Sequence, residues 1–271
     1  MKRMRRLPVL LLVVLMCFLQ ACDKNNNLSL FSIENDRELG AQVSQEIENN
    51  PQEFPILSEA QYPQAYSYLQ GILNDILDSD EVAYREEFAW EIKIIQNDDV
   101  LNAFATPGGY LYVYTGLIKY LDSEDDLAGV LGHEIAHSDL RHTSRQLQRQ
   151  YGISILLSVA LGQDAGTLEQ IVAQIAGGLA GLRFSREFEE EADSRSVDYL
   201  ADSDYACNSA ASFFQKLLSE EEGGNAPPEF LSTHPSPDNR VADINAKAED
   251  LNCDTTPLNP SSYDNFKSML P

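Results

Sequence analysis

The stretch Val130-Leu131-Gly132-His133-Glu134-Ile135-Ala136-His137 constrains this chain more than any other, because its HExxH spacing makes chemical sense on a helix. Residues four apart on a helix lie one above the other, so His133 and His137 can offer both imidazoles to one metal ion. Glu134, one step round, then sits beside the metal's open position, where a carboxylate can act as general base. The alternative is a helix that merely carries two solvated histidines. Ser123 with Asp126 three residues on predicts the helix start, and acidic Glu124 and Asp125 fall in the first turn, where the dipole favours them. Leu127, Val130, Leu131 and Ile135 face a core, and the pattern runs on past Arg141 and His142. Gly132 would either let another backbone approach closely or be tolerated in the helix at a cost of about 1 kcal/mol.

The chain begins elsewhere. Met1-Lys2-Arg3-Met4-Arg5-Arg6 is a basic leader, and the apolar run 7–19 is too short to span a bilayer and right for the core of a signal peptide. It ends in Leu19-Gln20-Ala21-Cys22, which resembles the lipobox of bacterial lipoproteins, with Cys22 as the lipidated first residue of the mature chain. Ordinary secretion with cleavage after Ala21 is the alternative. The expected division is a signal peptide over 1–21, a lipidated tether over 22–32, one domain over 33–250 and a tail over 251–271. Losing 1–21 removes Lys2, Arg3, Arg5 and Arg6 and no acidic residue, so the mature chain is more acidic than the −24 of the whole. Such a field argues against nucleic acid as a partner. In an oxidising compartment Cys207 and Cys253 invite a disulfide, two separate thiols being the other reading.

Periodicity gives an α+β chain. Helices are expected over 33–48, with Leu39, Val43 and Ile47 inward, and over 62–77, with Tyr66, Leu69, Leu73, Ile76 and Leu77 on one side. Residues 88–95 alternate as a strand, 102–106 form another, and Pro107-Gly108-Gly109 turns the chain into a third over 110–115. A small antiparallel sheet beside a mostly helical body follows. The apolar stretches 151–161 and 168–184 read as buried helices, or as an apolar surface near a bilayer, and carry too many polar residues to span one. Residues 209–222 and 238–250 read as helices, 223–228 as a loop, and the chain after Thr255 as loosely ordered.

Two histidines do not close a catalytic zinc site, which needs a third protein ligand. Residues 185–193 supply Glu187, Glu189, Glu190 and Glu191 as candidates, and in a helix Glu189 and Asp193 share a face. Asp193 could then accept the free N–H of a ligating imidazole. With Asn102-Ala103-Phe104-Ala105, Pro107-Gly108-Gly109, the HExxH with Arg141-His142 behind it, the 185–193 block, and Thr233-His234-Pro235 with Arg240, the chain from 34 to 247 resembles one family. It is that of the HtpX/BepA/LoiP-like zinc metallopeptidases, relatives of the CaaX prenyl endopeptidases. The resemblance implies a mostly helical zincin domain of gluzincin type, one Zn2+ per chain, and Glu189 as third ligand. It implies His234 as a fourth ligand in a closed state, the other reading being a loop residue before Pro235 that caps a helix. It implies a role for Arg240 in stabilising the oxyanion or bracing Glu189, the other reading being an exposed arginine on a helix surface. It implies substrate held along an edge strand carrying Tyr110, Tyr112 and Tyr114, and by Asn102, for which a turn residue is the other reading. His142 is expected to be a structural, hydrogen-bonded residue. The expected activity is hydrolysis of misfolded or unassembled envelope proteins by a periplasm-facing, lipid-anchored enzyme. A chaperone-like lipoprotein with a regulatory zinc site is the second reading.

Overall fold

The computed structural model describes residue 24 and residues 31–176, 183–222, 229–235, 239–258 and 261–271. Cys22, the leader and the loop 223–228 lie outside the described residues. The first two helices are α1 (Ile33–Asn49), started by a Ser32–Asn35 capping box, and α2 (Pro63–Leu77), with proline at its first turn. The apolar faces expected of both are buried.

Strand β1 (Glu91–Ile95) begins later than the alternation implied, because Trp90 has φ 48°. Its indole N–H donates to the Tyr84 carbonyl at 3.1 Å, which ties the residue to the preceding loop. Strands β2 (Ala103–Thr106) and β3 (Tyr110–Tyr114) pair antiparallel across the Pro-Gly-Gly turn, but β3 pairs parallel with β1 in the order β1-β3-β2. The sheet is therefore mixed, not antiparallel, and β3 is its central strand, not its edge. Residues 96–102 cross two strand spacings, roughly 10 Å, and leave a slot that the returning β3 fills. The strand richest in aromatic and β-branched residues takes the slot, where both neighbours cover it.

After the short α3 (Thr115–Tyr120) comes α4 (Glu124–Asp139), buried from Asp125 to its end. Ser123 and Asp126 form the expected capping box. Asp125 accepts the N–H groups of Ala206 at 2.9 Å and Leu258 at 2.7 Å, so the first turn also anchors distant loops. The glycine that a neighbouring backbone requires is Gly129, where a Cβ would stand 2.4 Å from the Ala210 nitrogen. At Gly132 a Cβ would make only ordinary contacts with Ser196 and Leu200, so the close approach considered there is absent.

The helix also does not run past His142. It ends at Asp139, and Arg141 turns left-handed at φ 59° to start α5 (His142–Tyr151). The buried Arg141 guanidinium bonds Asp36 and the Phe31 and Ser32 carbonyls, contacts that supply the reason for an unfavourable backbone. Then follow α6 (Ile153–Ala160), α7 (Ala165–Ala176), α8 (Arg186–Leu200), α9 (Ser209–Glu222), α10 (Glu229–Thr233), α11 (Arg240–Leu251) and α12 (Ser261–Lys267). No described helix is long and apolar enough to cross a membrane.

The larger core lies among α2, one sheet face, α4, α8, α9 and α11, and the smaller packs α1 and α7 on the other face through Phe104, Tyr112 and Tyr114. A disulfide joins Cys207 to Cys253 and so ties the start of α9 to the end of α11. Closing that loop contributes roughly 4 kcal/mol on the chain-entropy account. The chain after Thr255 is not loose throughout. Tyr263 and Phe266 of α12 are fully buried, and Tyr263 donates to the Ile118 carbonyl at 2.7 Å. Two aromatic anchors suffice to dock so short a helix.

Candidate metal centre

Helix α4 presents His133 and His137 on one face, as their spacing requires, with the two Nε2 atoms 3.0 Å apart. Helix α8, capped by Ser185, lies against it and turns Glu189 inward, Oε2 being 3.4 Å from His133 Nε2 and Oε1 3.5 Å from His137 Nε2. The turn after α10 adds His234, whose Nδ1 stands 3.1 Å from Glu189 Oε1 and 3.4 Å from His133 Nε2. One donor atom from each of these four residues lies within 4.8 Å of the others. Of the carboxylates in the 185–193 block, Glu189 alone joins this cluster, while Glu187 pairs with Arg149 and Glu191 with Arg145.

The cluster is sealed, no member being more than 2 % exposed. Phe184 stacks on the His137 ring at 4.1 Å and Phe230 on the His234 ring at 4.3 Å. Phe184 N–H donates to the Thr233 carbonyl, so the two covering segments are joined to each other.

Glu134 faces the other way, toward β2. The Ala105 N–H donates to its Oε2 at 3.1 Å, and His234 Nε2 lies 3.5 Å from its Oε1. Burial pushes the Glu134 carboxyl up, with the nearby His234 and His133 opposing the rise. Burial alone would raise Glu189 too, but His234, His133 and His137 hold it well below the usual range. His137 is lowered by burial. His133 is raised to about 9, since Asp193 and Glu189 outweigh the burial of its ring.

Two walls support the imidazoles of His133 and His137. On one, Asp193 Oδ1 lies 2.9 Å from His133 Nδ1, and Arg240, first residue of α11, clamps Asp193 through Nε at 2.7 Å and Nη2 at 2.8 Å. The same Nη2 donates to Glu189 Oε2 at 3.0 Å, so Arg240 braces the carboxylate. On the other wall His142 Nδ1 stands 2.9 Å from His137 Nδ1, and its Nε2 3.1 Å from Glu191 Oε2, which Arg145 holds. Sequence reasoning placed His142 as hydrogen-bonded but missed Glu191 as its partner and Arg145 as the residue that holds Glu191. The i, i+3 step from His142 to Arg145 and the surplus of carboxylates at 187–191 were the available signals.

The expected substrate residues fare differently. Tyr112 and Tyr114 are buried against α1 on the central strand and do not line the site; Phe104 stacks on Tyr112 at 4.8 Å. Tyr110, half-buried, pairs with Thr106 and Glu91 in the sheet. Central placement removes the free backbone edge that such a role requires. Asn102 is fully buried, with neither side-chain amide atom hydrogen-bonded.

Helix-borne histidines at i and i+4, a carboxylate between them in sequence but aimed at an edge strand, and a glutamate from a second helix together define the class of metallopeptidases. The sequence profile described as Peptidase family M48 matches residues 63–248, and the chain belongs to that family. The beta-barrel assembly-enhancing protease of Escherichia coli (strain K12) is 35% identical over 170 residues, which cover 57% of this chain and 34% of that protein. The mitochondrial metalloendopeptidase OMA1 of Arabidopsis thaliana is 32% identical over 154 residues, covering 57% of this chain and 30% of that one. OMA1 of Schizosaccharomyces pombe is 30% identical over 179 residues, covering 65% and 51%. The chain thus spans about a third to a half of the length of these relatives.

Proposed function

We propose that the protein is a zinc-dependent endopeptidase of the bacterial cell envelope, acting on misfolded or unassembled envelope proteins. The observation that carries this reading is the convergence of His133, His137, Glu189 and His234 beside Glu134. Three imidazoles and one carboxylate make a donor set that suits zinc, and their donor atoms, all within 4.8 Å of one another, stand close enough to share one ion. Zinc held there would supply a Lewis acid that activates water and polarises a peptide carbonyl.

The chain's own residues do the rest. Glu134 accepts the proton of the attacking water and passes it to the leaving nitrogen, a task suited to a carboxyl raised by burial. Asp193 and Arg240 orient His133 and Glu189, and the Arg240 guanidinium, 3.4 Å from His133 Nε2, sets a fixed positive charge beside the centre. Substrate lies extended along β2, the edge strand that borders Glu134, in place of the tyrosine strand. For that, the Ala105 N–H must leave Glu134 for a substrate carbonyl.

With His234 as a fourth ligand the centre would have no open position for water, which would make this a closed arrangement. Withdrawing the α10 segment would uncover both the fourth position and Glu134. Envelope location rests on the Cys22 lipobox, and the substrate class on the name of the beta-barrel assembly-enhancing relative.

The test is incubation of the purified mature protein with an unfolded outer-membrane β-barrel protein, with and without chelator. Fragments that disappear with chelator support the peptidase. Binding without cleavage would establish the chaperone-like alternative instead.

A further inference from the structure

His137 and His142 meet nitrogen to nitrogen, both through Nδ1, at 2.9 Å inside a buried site. At that distance one nitrogen must carry a proton and the other a lone pair. If His137 ligates through Nε2, the atom it turns to His133 and Glu189, its Nδ1 must be the one that carries the proton. His142 Nδ1 must then be bare, which places the His142 proton on Nε2. That atom faces Glu191 Oε2 at 3.1 Å, an acceptor that Arg145 also engages through the same oxygen.

Each link leaves the next a single arrangement, and the packing holds it. His142 starts α5 immediately after the left-handed Arg141, and its ring stacks on Phe188 at 4.5 Å. Arg145, one turn along α5, lies over the same Phe188 ring. We propose that His142 is a positioning residue of the metal centre: a neutral imidazole, held as the Nε2–H tautomer by Glu191, that accepts the Nδ1–H of His137 and so keeps His137 Nε2 on the metal.

An acceptor of this kind differs from a carboxylate or a carbonyl, whose oxygens carry no proton that could occupy the accepting position. An imidazole accepts only while one particular nitrogen is bare, so Glu191 acts on the metal through His142 without touching it. The inference rests on the assignment of His137 as a ligand through Nε2, and the experiment separates the two.

With four histidines in the chain, ring 15N–1H correlation spectra of the zinc-loaded protein resolve each tautomer. The expected pattern is His137 metallated at Nε2 and protonated at Nδ1, with His142 neutral and protonated at Nε2. A His137 without zinc at Nε2 would overturn the ligand assignment itself. A His137 with zinc at Nε2 beside a His142 protonated at Nδ1 would overturn only the positioning role. In a second measurement Glu191→Leu should weaken zinc affinity about tenfold, while the zinc-free protein stays folded and His142 shows both tautomers. Undiminished zinc affinity in that variant would also contradict the proposal.

Discussion

His133 and His137 stand one turn apart on the same helix and face the same point, yet they lean on walls of opposite character. The wall behind His133 is charged through and through: Asp193 and Arg240 are both buried, and the guanidinium spans Asp193 and Glu189. The wall behind His137 puts the neutral ring of His142 first and meets charge only at Glu191, about a third exposed. The difference teaches where the site stores its rigidity. A buried ion-pair network is costly to break because each charge left alone has no solvent to turn to. A neutral relay that ends near water can lose its outermost member cheaply.

The largest effect should therefore come from Arg240. Arg240→Met strands two buried carboxylates, Asp193 and Glu189, and should cost roughly 3–5 kcal/mol in urea unfolding, with loss of bound metal. A cost below about 1 kcal/mol would mean that the charged wall is not the stiff one. The zinc-free protein should respond to pH with opposite signs at the two walls. On the His142 side burial lowers the ring to about 4, below its unfolded value, so stability present above pH 6.5 is lost as pH falls toward 4. That loss is on the order of 3 kcal/mol and should shrink in His142→Gln.

His133 works the other way. Burial pulls its proton off, but Asp193 and Glu189 prevail and raise it to about 9, so its contribution is complete below pH 6.5 and lost as pH rises through 9. Asp193→Asn should flatten the alkaline limb and leave the acid one. In the same variant zinc affinity should fall between about tenfold and a hundredfold, measured by chelator competition. The smallest effect belongs to the rim: Arg145→Gln should change unfolding free energy by less than about 1 kcal/mol, because Glu191 keeps partial access to water. A loss as large as that of Arg240→Met would erase the distinction between the walls.

The parts of this site that local physics sets were legible in the sequence. The HExxH spacing, the Ser123–Asp126 box and the shared face of Glu189 and Asp193 depend on neighbours within a turn, and each stands where helix geometry puts it. The sheet order was not legible, because it depends on a crossing by residues 96–102 rather than on the alternation of any one strand. Nor was the end of α4. No glycine or proline interrupts residues 140–151, and the break at Arg141 is set by a buried partner, Asp36, in the first helix. The pairing of His142 with Glu191 follows from that break, since an unbroken helix would carry His142 along its own axis. Docking of α12 by Tyr263 and Phe266 escaped notice because seven residues are too few for a periodic pattern.

The central claim is that Glu134 moves the proton in a reaction run at the His133–His137–Glu189 centre. Its most direct test is Glu134→Gln, with zinc content and cleavage of an unfolded β-barrel protein measured on the same preparation. The account predicts one zinc per chain, retained, and cleavage reduced by at least about a hundredfold. Cleavage at the wild-type rate by a zinc-loaded Glu134→Gln protein would contradict it.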